Sequence, residues 1–168
     1  MIATPTSADP EILPMPNRSS TEDDIERLTR TVEDFCVWIE SLPERGLHAQ
    51  AWGPREVLAH LVYWHESYLT QSEAILAGRA YRLPSGRFAD MNAEAVGRLC
   101  NLRPATLTRR FRAVNRRLSR LAEAYDPRKI AFRIKEGSKR WRLSDLIPAV
   151  EAHIRNHLRS LKKAFKGG

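Results

Sequence analysis

The chain has 168 residues, of which 42% are hydrophobic, and it carries a net charge of +8. This length suits one domain with its own core, and no apolar run approaches the roughly 20 residues that span a bilayer, so no membrane segment is expected. The N-terminus is rich in proline and lacks the pattern of a secretory signal. We therefore expect a flexible leader over 1–19, a single domain over 20–168 and a cytoplasmic location.

Two amphipathic helices are predicted in the first half of the chain. Apolar residues from Ile25 to Leu42 recur at spacings of 3, 4, 3, 4 and 3, which is typical of one helical face. A second helix should begin at Pro54, where the missing N–H costs nothing, and end before Gly78. Residues 79–91 form a predicted connection of a length that often covers a site. The predicted apolar face of the second helix comprises Val57, Leu61, Trp64, Tyr68 and Ile75, widened by Leu58, Leu69 and Leu76.

A short helix over 92–100 and a long helix from about Pro104 to Tyr125 are predicted next. The long helix has apolar residues at spacings of 4, 3, 4, 3 and 4, with arginines on the opposite face. Residues 101–168 carry 19 Lys and Arg against 5 Asp and Glu. This basic half could bind an anionic partner, or it could pair with the acidic first helix in the same molecule or in a dimer. A solvated face is favoured over nucleic-acid binding, because no nucleic-acid motif is present.

The end of the chain combines a predicted β-hairpin with a final helix. Apolar residues alternate on either side of a Gly-Ser turn within 129–143, which is typical of a small hairpin. The final helix should begin at Ser144, a good N-cap. Four long amphipathic helices without long strands predict an all-α fold, a four-helix bundle with the hairpin before its last helix. The predicted stripe of the final helix comprises Leu146, Val150, His153, His157, Leu161 and Phe165.

Two histidines stand in that stripe. His153 and His157 occupy positions where the pattern calls for leucine or valine, and their spacing of four places both imidazoles on one face. The spacing suits two ligands of one transition metal, with His60 or His65 of the second helix as the candidate third ligand. Three neutral imidazoles with an open position could bind Zn, Ni or Fe and activate water. Spacing alone leaves equally open that these histidines are hydrogen-bonded or partly exposed without any metal.

Three short parts of the chain carry a resemblance to a known family. They read Trp-Gly-Pro-Arg-Glu-Val-Leu-Ala-His-Leu-Val-Tyr-Trp-His-Glu-Ser-Tyr-Leu at 52–69, Leu-Pro-Ser-Gly-Arg-Phe at 83–88, and Trp-Arg-Leu at 141–143 followed by Ala-His-Ile-Arg-Asn-His at 152–157. They resemble the second helix, the Pro-rich loop and the fourth-helix ending of the ClbS/DfsB branch of the DinB-like superfamily. The resemblance implies a four-helix bundle that is often dimeric, so a homodimer is a candidate assembly.

The same resemblance implies a metal site. In the metal-binding members of the superfamily one histidine comes from the second helix and two from the fourth, and these match His60, His153 and His157 here. The branch typically has tyrosine after the first histidine of the fourth helix, whereas this chain has Ile154, a departure that favours a metal triad. The superfamily includes thiol-dependent transferases and isomerases, and the branch is linked to self-protection against reactive small molecules.

The expected function is therefore a metal-dependent transformation of a small-molecule substrate, of hydrolase or thiol-transferase type, in detoxification or self-protection. The alternative is a non-catalytic helical bundle that uses its basic face for an anionic partner. Aromatic side chains near His60 could line a substrate pocket, although core packing is their more common role. The candidate pocket residues are Tyr63, Trp64, His65, Tyr68 and Trp141.

Overall fold

The computed structural model describes residues 18–47 and 52–166, so nearly all of the expected leader over 1–19 lies outside the described part. Its helices are α1 (Arg18–Glu40), a short 3-10 helix (Glu44–Leu47), α2 (Pro54–Leu76), α3 (Phe88–Leu99), α4 (Pro104–Ala124) and α5 (Leu143–Lys166). Strands β1 (Ala131–Arg133) and β2 (Arg140–Arg142) pair antiparallel between α4 and α5. The predicted all-α fold with a small hairpin is confirmed. None of these helices is apolar enough over its length to cross a bilayer.

The four long helices enclose one hydrophobic core. α1 packs against α4 and α5, and α2 packs against α4, so three of the seams are extensive. α3 lies against the outer side of α2, and the seam between α2 and α5 is the sparsest of the four. Residues from all four long helices are fully or almost fully buried in the core, among them Leu28, Phe35, Ile39, Leu58, Leu61, Leu107, Phe111, Ile147 and Ile154.

Most helix boundaries follow local sequence signals, with one exception. α2 begins at Pro54 as predicted, and the chain reverses after it at Gly78, whose φ of +61° suits glycine. The predicted short helix over 92–100 is wrong in its start, because α3 begins at Phe88. The first turn of α3 buries a methionine against α2, so burial extends the helix into the segment expected to be loop. The buried face of α3 comprises Met91, Ala95 and Leu99.

Four apolar residues at the ends of predicted stripes are exposed, contrary to expectation. Ile75 and Leu76 lie in the last turn of α2, Tyr125 follows the last residue of α4 in extended backbone, and Phe165 lies in the last turn of α5. A stripe stops facing the core where its helix ends, since the neighbouring helices no longer cover it. The periodicity of a sequence does not show at which residue the packing of neighbouring helices ends.

The predicted stripe of α5 is confirmed at Leu146, Val150 and Leu161 and wrong at its two histidines. Ile154 and Leu158 are buried in the core, whereas His153 is exposed and His157 is half-buried. The two sets run in parallel along the helix, so both satisfy helical spacing, and burial of the larger apolar area selects the aliphatic pair. His153 and His157 therefore flank the core at the edge of α5 and do not replace core residues.

The basic face of α4 is partly neutralised within the molecule. Arg112 forms ion pairs with Glu33 and Glu40 of α1, at 2.8 and 2.6 Å, and its guanidinium holds the pKa of both carboxyls below their usual range. Intramolecular pairing, one of the alternatives that the sequence left open, thus accounts for part of the basic half. Two more arginines pair with α2, in Arg110–Glu66 and Arg117–Glu73, while Arg109, Arg116 and Arg120 are exposed as predicted.

Candidate metal centre

Three histidines meet at the sparse seam between α2 and α5. Nε2 of His153 lies 3.2 Å from Nε2 of His60 and 3.1 Å from Nε2 of His157. The three rings each offer a nitrogen, and these nitrogen atoms all lie within 4.8 Å of one another. A tetrahedral zinc ion with Zn–N distances of about 2.0–2.1 Å separates its nitrogen ligands by about 3.3 Å. The spacing of the three rings therefore fits a single metal ion.

The direct contacts among the rings are in conflict unless a cation stands between them. A neutral imidazole nitrogen either donates one N–H or accepts through one lone pair. Nε2 of His153 is in contact with two other ring nitrogens at once, so one proton can satisfy only one of the two contacts. A cation that accepts all three lone pairs removes the conflict. The donor set therefore fits a metal better than it fits a hydrogen-bonded cluster.

The three imidazoles are suited to bind metal at neutral pH. Burial, and secondarily the neighbouring imidazoles, lower the pKa of His60 and of His157 to about 4. Burial also lowers the pKa of His153. The rings are therefore neutral near pH 7, and their lone pairs are available without the release of a proton.

Two residues that the sequence analysis missed surround His60. The ring of Trp52 lies edge-on to that of His60 at 5.7 Å, and Asn92 of α3 lies beside His60 and opposes the lowering of its pKa. Asn92 is held by Trp64, whose Nε1 donates to Oδ1 of Asn92 at 2.9 Å. Nδ1 of His60 is buried without a hydrogen bond. If Nε2 binds a metal, Nδ1 carries the proton, and the Asn92 side chain is placed to accept it.

The centre opens to solvent on the side of α5. His153 is exposed, and three protein ligands leave a tetrahedral position free for water or a small molecule. An open groove of about 520 Å³ adjoins His60 through the two residues just described. The described residues that line this groove carry no charge; they are Trp52, Ala89, Asn92, Ala93, Val96 and Gly97. The arrangement is that of an accessible centre beside a surface for an uncharged group.

The other candidate ligand, His65, lies elsewhere. It is fully buried, and its ring stands edge-on to Phe111 of α4 at 4.8 Å. His65 follows His60 by five positions on α2. On a helix this offset points the His65 side chain towards α4 and away from α5. The structure thus brings His60, and not His65, to the two histidines of α5.

The remaining candidate pocket residues are dispersed. Trp64 is buried beneath α3, and Tyr68 stacks on Phe132 at 6.5 Å between ring centroids. Trp141 is half-buried in β2, with Nζ of Lys139 above its ring. Tyr63 lines a separate cavity between α2 and α3. Their contact with a substrate stays a prediction. Asn92 lies within the predicted helix over 92–100, but no local signal places it beside His60, because only the packing of α3 against α2 brings the two residues together.

Comparisons with known proteins add information on the fold. No family model matches the chain, and no curated protein matches it. The fold is similar to that in a crystal structure of an uncharacterized protein from Clostridium difficile 630, with a TM-score of 0.67 and 17% sequence identity. The similarity covers 85% of this chain and 95% of that one. At this identity the likeness shows a shared helical architecture and no shared activity.

Proposed function

We propose that this chain is a metal-dependent protein of the DinB-like superfamily, related to its ClbS/DfsB branch, that transforms a small molecule at a centre formed by His60, His153 and His157. The observation that carries the proposal is the convergence of three ring nitrogens at metal-ligand spacing on an accessible edge of the bundle. The family assignment is supported by the motifs at 52–69 and 152–157.

A metal at this centre would activate a nucleophile through its own charge. A bound divalent ion, Zn, Ni or Fe, would supply Lewis acidity that lowers the pKa of a bound water or thiol. A thiol ionises more readily than water, so thiol transfer is the favoured reaction class and hydrolysis the second.

The protein's own groups hold and orient the reactants. His60 is fixed by burial in α2, and Asn92 is placed to accept the Nδ1 proton of His60 when Nε2 binds the metal. The uncharged groove beside Trp52 binds the apolar part of the substrate, and its indole shields one side of the centre from water. His153, the exposed ligand, faces the side from which the substrate enters. The resemblance to the ClbS/DfsB branch, together with the uncharged groove, supports a role in removing reactive, weakly charged small molecules.

Cobalt substitution tests the proposal. Full-length protein without a polyhistidine tag is loaded with Co(II), and we expect one equivalent per chain with the intense visible bands of a four-coordinate site. Addition of 2-mercaptoethanol should add a thiolate-to-cobalt charge-transfer band in the near ultraviolet. A spectrum identical to that of free aqueous cobalt would refute the metal centre. A four-coordinate spectrum that stays unchanged with thiol would keep the centre and move the reaction class to hydrolysis.

A further inference from the structure

Another cavity, away from the three histidines of the metal centre, is lined by two arginines without a carboxylate partner and by one unsatisfied amide oxygen among the described residues. It measures about 250 Å³ and lies between the last turns of α2, the connection after α2 and the hairpin. Gln71 lies 11 residues after His60, which is about 16 Å along the axis of α2. We propose that this cavity binds the phosphate group of a small phosphate monoester. The proposal is independent of the metal centre.

Two arginines of the cavity face each other across the hairpin. Arg133 and Arg140 are directly opposite in the antiparallel register, and both line the cavity. Like charges in this position destabilise a strand pair, and within the described residues neither arginine forms an ion pair with a carboxylate. Arg133 donates to the carbonyl of Ser138, and Arg140 donates to that of Ala131 at 3.2 and 3.4 Å. These carbonyls satisfy part of the ten N–H donors and leave both charges uncompensated.

A buried amide lines the same cavity with one atom unsatisfied. Gln71 is completely buried; its Nε2 donates to Oγ of Ser67 at 3.2 Å, and its Oε1 has no hydrogen-bond partner among the described residues. The Ser67 hydroxyl can donate as well as accept. A half-turn of the amide exchanges the two atoms, so that Ser67 donates to Oε1 and Nε2 becomes the group without a partner, a donor in place of an acceptor. A buried polar group without a partner costs free energy, which a ligand that accepts its hydrogen bond would recover.

These groups match a phosphate in charge, donor number and size. Two guanidinium groups supply charge-assisted hydrogen bonds and offset the negative charge. The turned amide of Gln71 adds a donor from the other side. The hydroxyl of Tyr81, also in the lining, lies 3.4 Å from Oγ of Ser67 and donates to it once Ser67 donates to Gln71. A phosphate carries enough oxygen atoms to accept from all three donor groups, whereas a carboxylate offers only two. The cavity is below the about 300 Å³ of ordinary ligand pockets, so it accommodates the phosphate group and leaves the rest of a monoester outside.

Calorimetric titration with inorganic phosphate tests this site in the full-length protein. We expect saturable binding of one phosphate per chain that Arg133→Gln, Arg140→Gln and Gln71→Leu each weaken about ten- to a hundredfold. Arg142→Gln is the matched control, because Arg142 is exposed on the same strand and does not line the cavity. It should change the affinity less than about twofold. Glycerol phosphate should bind like inorganic phosphate, and acetate should bind more weakly.

The other outcomes would each overturn the proposal. Equal weakening by Arg142→Gln and Arg140→Gln would show diffuse attraction to a basic surface. Loss of binding in His153→Ala would place the phosphate at the metal centre, and acetate binding as tight as phosphate would remove the phosphate assignment. Absence of saturable phosphate binding would show that the cavity is not a phosphate site. Circular dichroism checks that each variant is folded, and phosphate should raise the melting temperature of the wild type and of Arg142→Gln.

Discussion

α2 contributes one histidine to each of two seams, and the two seams differ in packing. Towards α4 the seam is extensive, and His65 is enclosed against Phe111, with no other histidine of the described residues in ring contact. Towards α5 the seam is sparse, and His60 meets two histidines at an opening to solvent. Burial lowers the pKa of both His60 and His65 to about 4.

An equal shift in pKa therefore does not distinguish a structural histidine from a functional one. Both rings are neutral at pH 7 because both are desolvated. The two histidines differ in their neighbours. The His60 ring lies next to the ring nitrogens of two other histidines, whereas the His65 ring packs against the aromatic ring of Phe111. The number of convergent donors and their access to solvent, and not the pKa, make the α5 seam the candidate site.

The largest expected difference between the seams is in metal binding. His153→Ala removes the ligand that lies between the other two and should abolish stoichiometric binding of Zn or Co. His65→Gln should leave the stoichiometry at one, because its ring faces α4. Metal analysis after dialysis measures both variants. Metal retained by His153→Ala and lost by His65→Gln would reverse the assignment of the two seams.

The next effect is on stability and belongs to the α4 seam. Phe111 is fully buried between α1, α2 and α4, so Phe111→Ala should lower the free energy of unfolding by about 3–5 kcal/mol. Arg116→Ala on the exposed face of α4 is the matched control and should cost less than about 0.5 kcal/mol. Urea denaturation measures both. Comparable small losses in the two variants would show that α4 does not pack as described.

Acidification should weaken the α4 seam through His65. The unfolded chain binds a proton at this residue near the ordinary pKa of 6.5, while the folded chain does so only near 4. Stability from this group is therefore complete above pH 6.5 and is lost as the pH falls towards 4, by about 3 kcal/mol. Urea denaturation of the metal-free protein across this range gives the slope. His65→Gln should have a shallower slope, because the other histidines titrate equally in both proteins; an unchanged slope would contradict this account.

The smallest effect concerns the support of His60. Asn92→Ala removes the side chain placed to accept the Nδ1 proton and should lower the metal affinity about tenfold without changing the stoichiometry. Asn101→Ala, an exposed change just beyond α3, is the control. A competition titration with a chelating dye compares the two. Equal affinities for the Asn92 and Asn101 variants would show that another group holds the His60 ring.

Local sequence signals account for much of the fold. Pro54 and Gly78 bound α2 as predicted, the 3 and 4 spacings gave the core residues of α1 and α4, and the alternation around Gly137 gave the hairpin. These features depend on hydrogen bonding and side-chain packing over a few consecutive residues. The proximity of His153 and His157 could be predicted for the same reason, because one helical turn brings their ring centroids to within 4.4 Å of each other.

Only the tertiary structure decided the rotation of α5 about its own axis and the residue of α2 that its two histidines contact. A rotation of one residue, about 100°, exchanges His153 and His157 for Ile154 and Leu158 at the core, and helical periodicity permits both. Contact with α1 selected the aliphatic pair, and the sparse seam with α2 left the histidines beside His60. Such choices depend on the total apolar area that several helices bury together. The sequence of one helix fixes its faces, and its neighbours fix which face is buried.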